Sequence, residues 1–165
     1  MRRTSLIAGL ALVAGLVGAG TAAAEERTCR GTLGAVTVDN LRVPQGATCT
    51  LNGTRVQGTV KVERGATLRA SAIRVIGNVQ AENHRNVVLR GGSTVGGSVQ
   101  LVQGGTATLD ANRVTGDIQL FANRGTQSVT RNRVNGNLQC KENVPAPTGG
   151  GNVVQGNKED QCARL

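Results

Sequence analysis

Aromatic residues are almost missing from this chain. Among its 165 residues there is one Phe and no Trp or Tyr, which removes the rings on which sugars and nucleic-acid bases stack. A single His, His84, leaves little for a metal centre or for acid–base chemistry. Pro is scarce at three, and acids are outnumbered by bases ten to nineteen, giving a net charge of +9. The bases are mostly Arg and lie scattered (Arg42, Arg55, Arg69, Arg74, Arg90, Arg113, Arg133) rather than in a run. Such a surface attracts anionic wall polymers, membrane surfaces or nucleic acid by electrostatics alone, and it serves solubility equally well. With no rings for bases, nucleic acid is the least expected of these partners.

What is present begins with an export signal. Arg2 and Arg3 precede an uncharged apolar stretch from Leu6 to Gly20, and Thr21-Ala22-Ala23-Ala24 supplies the small residues of a cleavage site before Glu25-Glu26. The apolar stretch is shorter than the roughly 20 residues that span a bilayer, so residues 1–24 read as a cleaved signal peptide and not as an anchor. No second apolar run follows, and the first Cys, Cys29, is not at the junction where a lipid would be attached.

The abundant Gly, 24 in all, is periodic. Val56-Gln57-Gly58-Thr59-Val60-Lys61-Val62 returns as Val75-Ile76-Gly77-Asn78-Val79-Gln80-Ala81 and as Val95-Gly96-Gly97-Ser98-Val99-Gln100-Leu101. It returns again as Val114-Thr115-Gly116-Asp117-Ile118-Gln119-Leu120 and Val134-Asn135-Gly136-Asn137-Leu138-Gln139-Cys140, with a degenerate copy around Gly156. The central glycines are 19 or 20 residues apart. Apolar and polar positions alternate with period two, which is strand patterning. A second apolar pair follows at Leu68/Ala70, Val87/Leu89 and Ala107/Leu109, with Gly and Asn clusters between as corners.

No unit of that size buries its own apolar face, whereas units stacked in register bury a continuous column. The expected fold is therefore all-β: a right-handed parallel β-solenoid of about six coils, roughly 30 Å long at about 4.8 Å per layer. Val60, Val79, Val99, Ile118 and Leu138 form its core column. Gly58, Gly77, Gly97, Gly116 and Gly136 face inward where a side chain would crowd the interior or a corner. Gln80, Gln100, Gln119 and Gln139 stack outside, where amides can hydrogen-bond from coil to coil or present a flat binding face. The residues after each Gly (Thr59, Asn78, Ser98, Asp117, Asn137) are expected outside as well. Residues 25–55 would form an N-terminal cap and first coil, 56–140 the regular coils and 141–165 a C-terminal cap.

This Val-x-Gly-[Asn/Asp/Ser/Thr]-[Val/Ile]-x-[Val/Ala/Leu] unit, from about Val36 to Gly156, resembles the repeat of bactofilin-type, polymer-forming β-helix proteins. The resemblance implies self-assembly into filaments. Bactofilins are typically cytoplasmic, without a signal peptide or paired Cys, and this chain departs from them in both respects. The tail from Gly136 through Cys140-Lys141-Glu142-Asn143 to Cys162 is similar to that of small secreted bacterial proteins, a similarity that implies no activity.

Four Cys in an exported chain indicate two disulfides. Cys29 and Cys49 are 20 residues apart and Cys140 and Cys162 are 22 apart, each about one coil. Residues one coil apart stack within disulfide reach, whereas pairing Cys29 with Cys140 would join opposite ends of the rod. The expected bridges are Cys29–Cys49 and Cys140–Cys162, one at each end. With no CxxC pair and no adjacent His, metal binding is not expected.

Catalytic groups do not gather in the sequence. His84 falls in a corner beside no nucleophile and is expected at the surface. Asp110 and Asp117 are the closest carboxylates of the repeat region, an isolated pair by comparison with the clusters of sugar-cleaving β-helices. Thr48-Cys49-Thr50 and Thr106-Ala107-Thr108 do not recur coil after coil, so no flat threonine array results. Phe121 lies just off the inward parity, as a surface contact. The sequence thus points to an exported, non-catalytic structural or surface-associated protein of the bacterial envelope, with no cofactor. Filament assembly and binding of anionic wall polymer are the alternatives.

Overall fold

The computed structural model describes residues 25–165; the signal-peptide reading falls on residues outside that range. Strands and turns make up the described residues, wound into a β-solenoid of about seven turns with three parallel sheets as its faces. The first face carries eight strands, from Glu26–Thr28 and Asn40–Val43 through Val79–Glu82 to Lys158–Asp160. The second carries seven, including Thr48–Asn52, Asn86–Arg90 and Thr148–Gly150, and the third seven two-residue strands, including Arg55–Val56, Arg74–Val75 and Arg133–Val134. At about 4.8 Å per layer, the eight-stranded face is about 34 Å long.

Two features differ from the sequence reading. The Gly-centred unit is not one strand: its Gly is a corner, so Arg74–Val75 lies on the third face and Val79–Glu82 on the first. The solenoid also has one more coil than the glycines count, because Asp39 stands where the first coil's Gly would be and Thr37–Val38 still pairs with Arg55–Val56.

Register places like on like. Leu41, Val60, Val79, Val99, Ile118 and Leu138 form one column along the first face, all essentially inaccessible. Leu51, Ala70, Leu89, Leu109 and Val129 line the second face, and Val56, Val75, Val95, Val114 and Val134 the third. Each fully buried Val or Leu contributes roughly 1.5–3 kcal/mol by leaving water. A slip of one residue would turn all of them outward, so the pattern fixes the register.

The corner glycines are required by space. A Cβ on Gly77 would lie 2.6 Å from the Gly58 carbonyl oxygen and 2.9 Å from Thr59 Oγ1. The glycine backbones themselves touch: Gly77 N–H donates to Gly58 at 2.9 Å, Gly97 to Gly77 at 2.9 Å and Gly116 to Gly97 at 2.9 Å. The residues that follow them are half-buried and not outside, because their side chains accept from the next coil's backbone. Asn78 Oδ1 takes the Ser98 N–H at 2.8 Å, Ser98 Oγ the Asp117 N–H at 3.0 Å, and Asp117 Oδ1 the Asn137 N–H at 2.7 Å.

Candidate functional site

Both disulfides form between the expected partners, Cys29–Cys49 with Cα atoms 5.5 Å apart and Cys140–Cys162 at 5.2 Å. All four Cys are buried. Cys162 sits in a terminal turn, its N–H donating to Glu159 at 3.0 Å, and with Leu165 it covers the last coil. At each end of the first face the register finishes on a cation. Arg27 pairs with Leu41 at the N-terminal end and Lys158 with Leu138 at the C-terminal end, so the same apolar column stops at a basic residue on each side.

The outward side of the first face carries the Gln ladder. Gln80 donates to Gln100 at 2.9 Å, Gln100 to Gln119 at 2.9 Å, Gln119 to Gln139 at 2.9 Å, and Gln139 to the Glu159 carboxylate at 2.8 Å. These amides are engaged with one another and act as a brace. Beside them Val102 and Phe121 are paired and half-buried, so Phe121 packs against the sheet. At the ladder's N-terminal end an open groove of about 550 Å³ is lined by Lys61, Gln80, Gln100, Glu63, Glu82 and Arg64 among others. Its charges are mixed and partly paired: Arg42 bridges Glu26 at 2.9 Å and Glu63 at 3.3 Å. Desolvation works to raise the Glu63 carboxyl, but the Gln45 N–H at 3.0 Å, the Arg42 guanidinium and Lys61 together hold it below its ordinary value.

The carboxylates singled out from sequence are not brought together. Asp110 lies at the end of a second-face strand and takes a bidentate contact from Arg131 at 2.8 Å, while Asp117 is one of the corner acceptors on the far side of Arg113–Val114. His84 is a correction. It is a corner residue, as expected, but only 2% exposed, with its ring in the space that a side chain on Gly104 would fill. Neither ring nitrogen makes a hydrogen bond of good geometry, although the backbone at Ala81 and Thr106 lies near the ring. Burial pushes its pKa down to about 4, the backbone at Ala81 and Thr106 offsetting only part of that.

Two buried ladders escaped the sequence reading. Between the second and third faces, Asn112 Nδ2 donates to Leu89 O at 2.8 Å and to Asn132 Oδ1 at 3.0 Å, and Asn132 Nδ2 donates to Leu109 O at 2.8 Å and to Asn152 Oδ1 at 3.0 Å. Between the first and second faces, Asn123 donates to Asn143 at 2.9 Å and Asn143 to Gln161 at 3.0 Å. The signal was available, since 112, 132 and 152 repeat at the coil length, as do 123 and 143.

The third face differs from the other two in charge. Its register stacks Arg55, Arg74, Thr94, Arg113 and Arg133, and the four guanidiniums are exposed and take no part in any ion pair found among the described residues. The neighbouring outward positions are Gln57, Ile76, Gly96, Thr115 and Asn135, so no carboxylate intervenes between Arg55 and Arg133 on this face. Where Thr94 and Gly96 replace longer side chains the surface dips, forming a hollow of about 250 Å³ flanked by Arg74 and Arg113.

On the second face the outward threonines are interrupted. Thr50 is followed by Arg69 and Val88 before Thr108, Ser128 and Thr148, so the array is discontinuous, as the sequence indicated. Among the described residues no helix is long and apolar enough to cross a membrane. The chain matches no family model, no curated protein and no solved structure, so the likeness to bactofilin-type repeats rests on the repeat itself.

Proposed function

We propose that the protein is an exported, non-catalytic structural or surface-associated component of the bacterial envelope, working as a single rigid rod. Two buried disulfides suit an oxidising compartment, and the N-terminal sequence supplies the export signal. The observation that carries the single-rod reading is the pair of end caps. A solenoid's open ends invite another copy to add on, and inward-placed charges are a recognised means of preventing it. Here head-to-tail stacking would set Arg27 against Lys158, two cations at the mouths of one apolar column. That arrangement weighs against the filament implied by the bactofilin resemblance.

Light scattering on the disulfide-bonded protein tests it. The expected molar mass is that of one chain, and replacing both cations (Arg27→Val with Lys158→Val) is expected to produce concentration-dependent association. Polymers of the unaltered oxidised protein would overturn the single-rod reading. A second reading, binding of an anionic wall polymer, is favoured by the third face, whose Arg column has no acid to neutralise it.

A further inference from the structure

We infer that the third face is a binding site for an extended linear polyanion laid along the rod axis, its oxyanions resting on the guanidiniums of Arg55, Arg74, Arg113 and Arg133. This rests on the wall-polymer reading and specifies where the polymer lies and what chemistry it carries. At about 4.8 Å per layer the members of each arginine pair are one layer apart, and the Thr94 layer lies between the two pairs. The column therefore reads pair, gap, pair over about 19 Å. The gap is the hollow at Thr94 and Gly96, which leaves room for the uncharged part of a repeating unit between two charged ones.

Like charges stacked this closely repel, and nothing in the face relieves them: the outward neighbours are neutral and the described ion pairs engage Arg42 and Arg131 instead. An anionic chain would supply the missing counter-charge along the whole column at once. The guanidinium fork donates paired N–H bonds to phosphodiester or carboxylate oxygens, so the shared chemistry is a row of oxyanions. Single-stranded nucleic acid fits less well, because the single Phe, Phe121, lies on the first face, the His84 ring is buried, and no base could stack beside the Arg column.

The test is affinity for two polymers, poly(glycerol phosphate) and polygalacturonate, measured calorimetrically with the disulfide-bonded protein at about 50 mM salt. The first carries phosphodiesters and the second carboxylates, so the tighter binder identifies the oxyanion. Four contacts at roughly 0.7 counterion each predict a slope near −3 for log affinity against log salt. Arg74→Gln with Arg113→Gln should weaken binding at least tenfold, and all four replacements about a hundredfold or more.

A control with the same charge loss elsewhere (Arg69, Arg85, Arg90 and Arg164 to Gln, all exposed) should lose no more than about threefold. Thermal unfolding of each variant confirms that the fold is retained. If the control loses as much as the third-face variant, the site is overturned while polymer binding by diffuse charge stands. If the unaltered protein binds neither polymer at low salt, the wall-polymer reading falls as well.

Discussion

The corners of the C-terminal coils and those of the N-terminal coils solve one problem in two ways. From Asn112 onward, and from Asn123 at the other corner, the buried corner positions hold Asn or Gln, and Asn112, Asn132, Asn123 and Asn143 each donate both to a carbonyl of the coil before and to the side-chain amide oxygen of the coil after. In the earlier coils the same positions hold Thr54, Ile73 and Ser93 at one corner, and His84 and Gly104 at the other. Thr54 Oγ1 contacts two carbonyls, Leu33 O at 3.2 Å and Gly34 O at 2.7 Å, and Ser93 reaches Arg90 O at 2.7 Å and the Ile73 N–H at 3.2 Å. His84 makes no hydrogen bond of good geometry. The difference teaches that the apolar columns alone hold the register, and that corner residues decide how much each layer adds beyond them.

That contrast can be broken most severely at Asn132. Asn132→Ala would leave the buried Asn112 N–H without its acceptor and remove the side-chain bonds to the Leu109 carbonyl and to Asn152. At about 1–3 kcal/mol for the buried orphan and about 1 kcal/mol for each of the other two bonds, the loss should reach roughly 4 kcal/mol. Thr54→Ala, at the matching corner of the N-terminal half, should cost only about 1 kcal/mol. Urea unfolding midpoints of the two variants compare them directly; equal losses would refute the division.

Acid should weaken the N-terminal half first. The folded pKa of His84 is lowered to about 4 from 6.5. The unfolded chain therefore binds the proton more readily, and the contribution is complete above about pH 6.5 and lost as pH falls toward 4. At 1.36 kcal/mol per unit the shift corresponds to roughly 3 kcal/mol. Hydrogen exchange at pH 7 and pH 4.5 should find amides of the coils around Asn83–Asn86 losing protection before those around Asn132. In His84→Gln that difference in pH response should disappear.

The smallest effect concerns the left-handed backbone at the corners. Ala111 has φ of 55°, and glycines hold the comparable corner positions Gly53 and Gly151 in other coils. A non-Gly residue there costs roughly 1 kcal/mol, part of which is recovered by the extra freedom Gly gives the unfolded chain. Ala111→Gly should therefore raise stability by about 0.5 kcal/mol, read from the same urea midpoints.

The faces and staples were legible in the sequence because they depend on spacing. Valines recurring at the coil length announced the stack, and Cys residues one coil apart announced their own partners. What was not legible depends on where the chain bends. Period two runs unbroken through Val75-Ile76-Gly77-Asn78-Val79, so parity gave no sign that Gly77 turns from one face to another. Once it does, Asn78 is drawn half inside to meet the next backbone. Burial of His84 likewise depends on a residue one coil away, Gly104, having no side chain. The Arg column was hidden by the same fact: residues that look scattered along the chain become neighbours only when the third face is assembled.

The Gln ladder has a direction. Every amide in it donates toward the C-terminal end, so the side-chain dipoles align and polarise one another, as peptide units do along a helix. The electropositive tip of this array meets the Glu159 carboxylate, and its electronegative tail, the Gln80 carbonyl, lies in register with Lys61. Both charges have the sign that an aligned row of dipoles favours. A carboxylate can accept but not donate, so Glu159, which looks like decay of the repeat in the sequence, is the residue that terminates the series. Reversing one amide would set two like groups face to face on either side of it, and the orientation of the row is therefore chosen collectively.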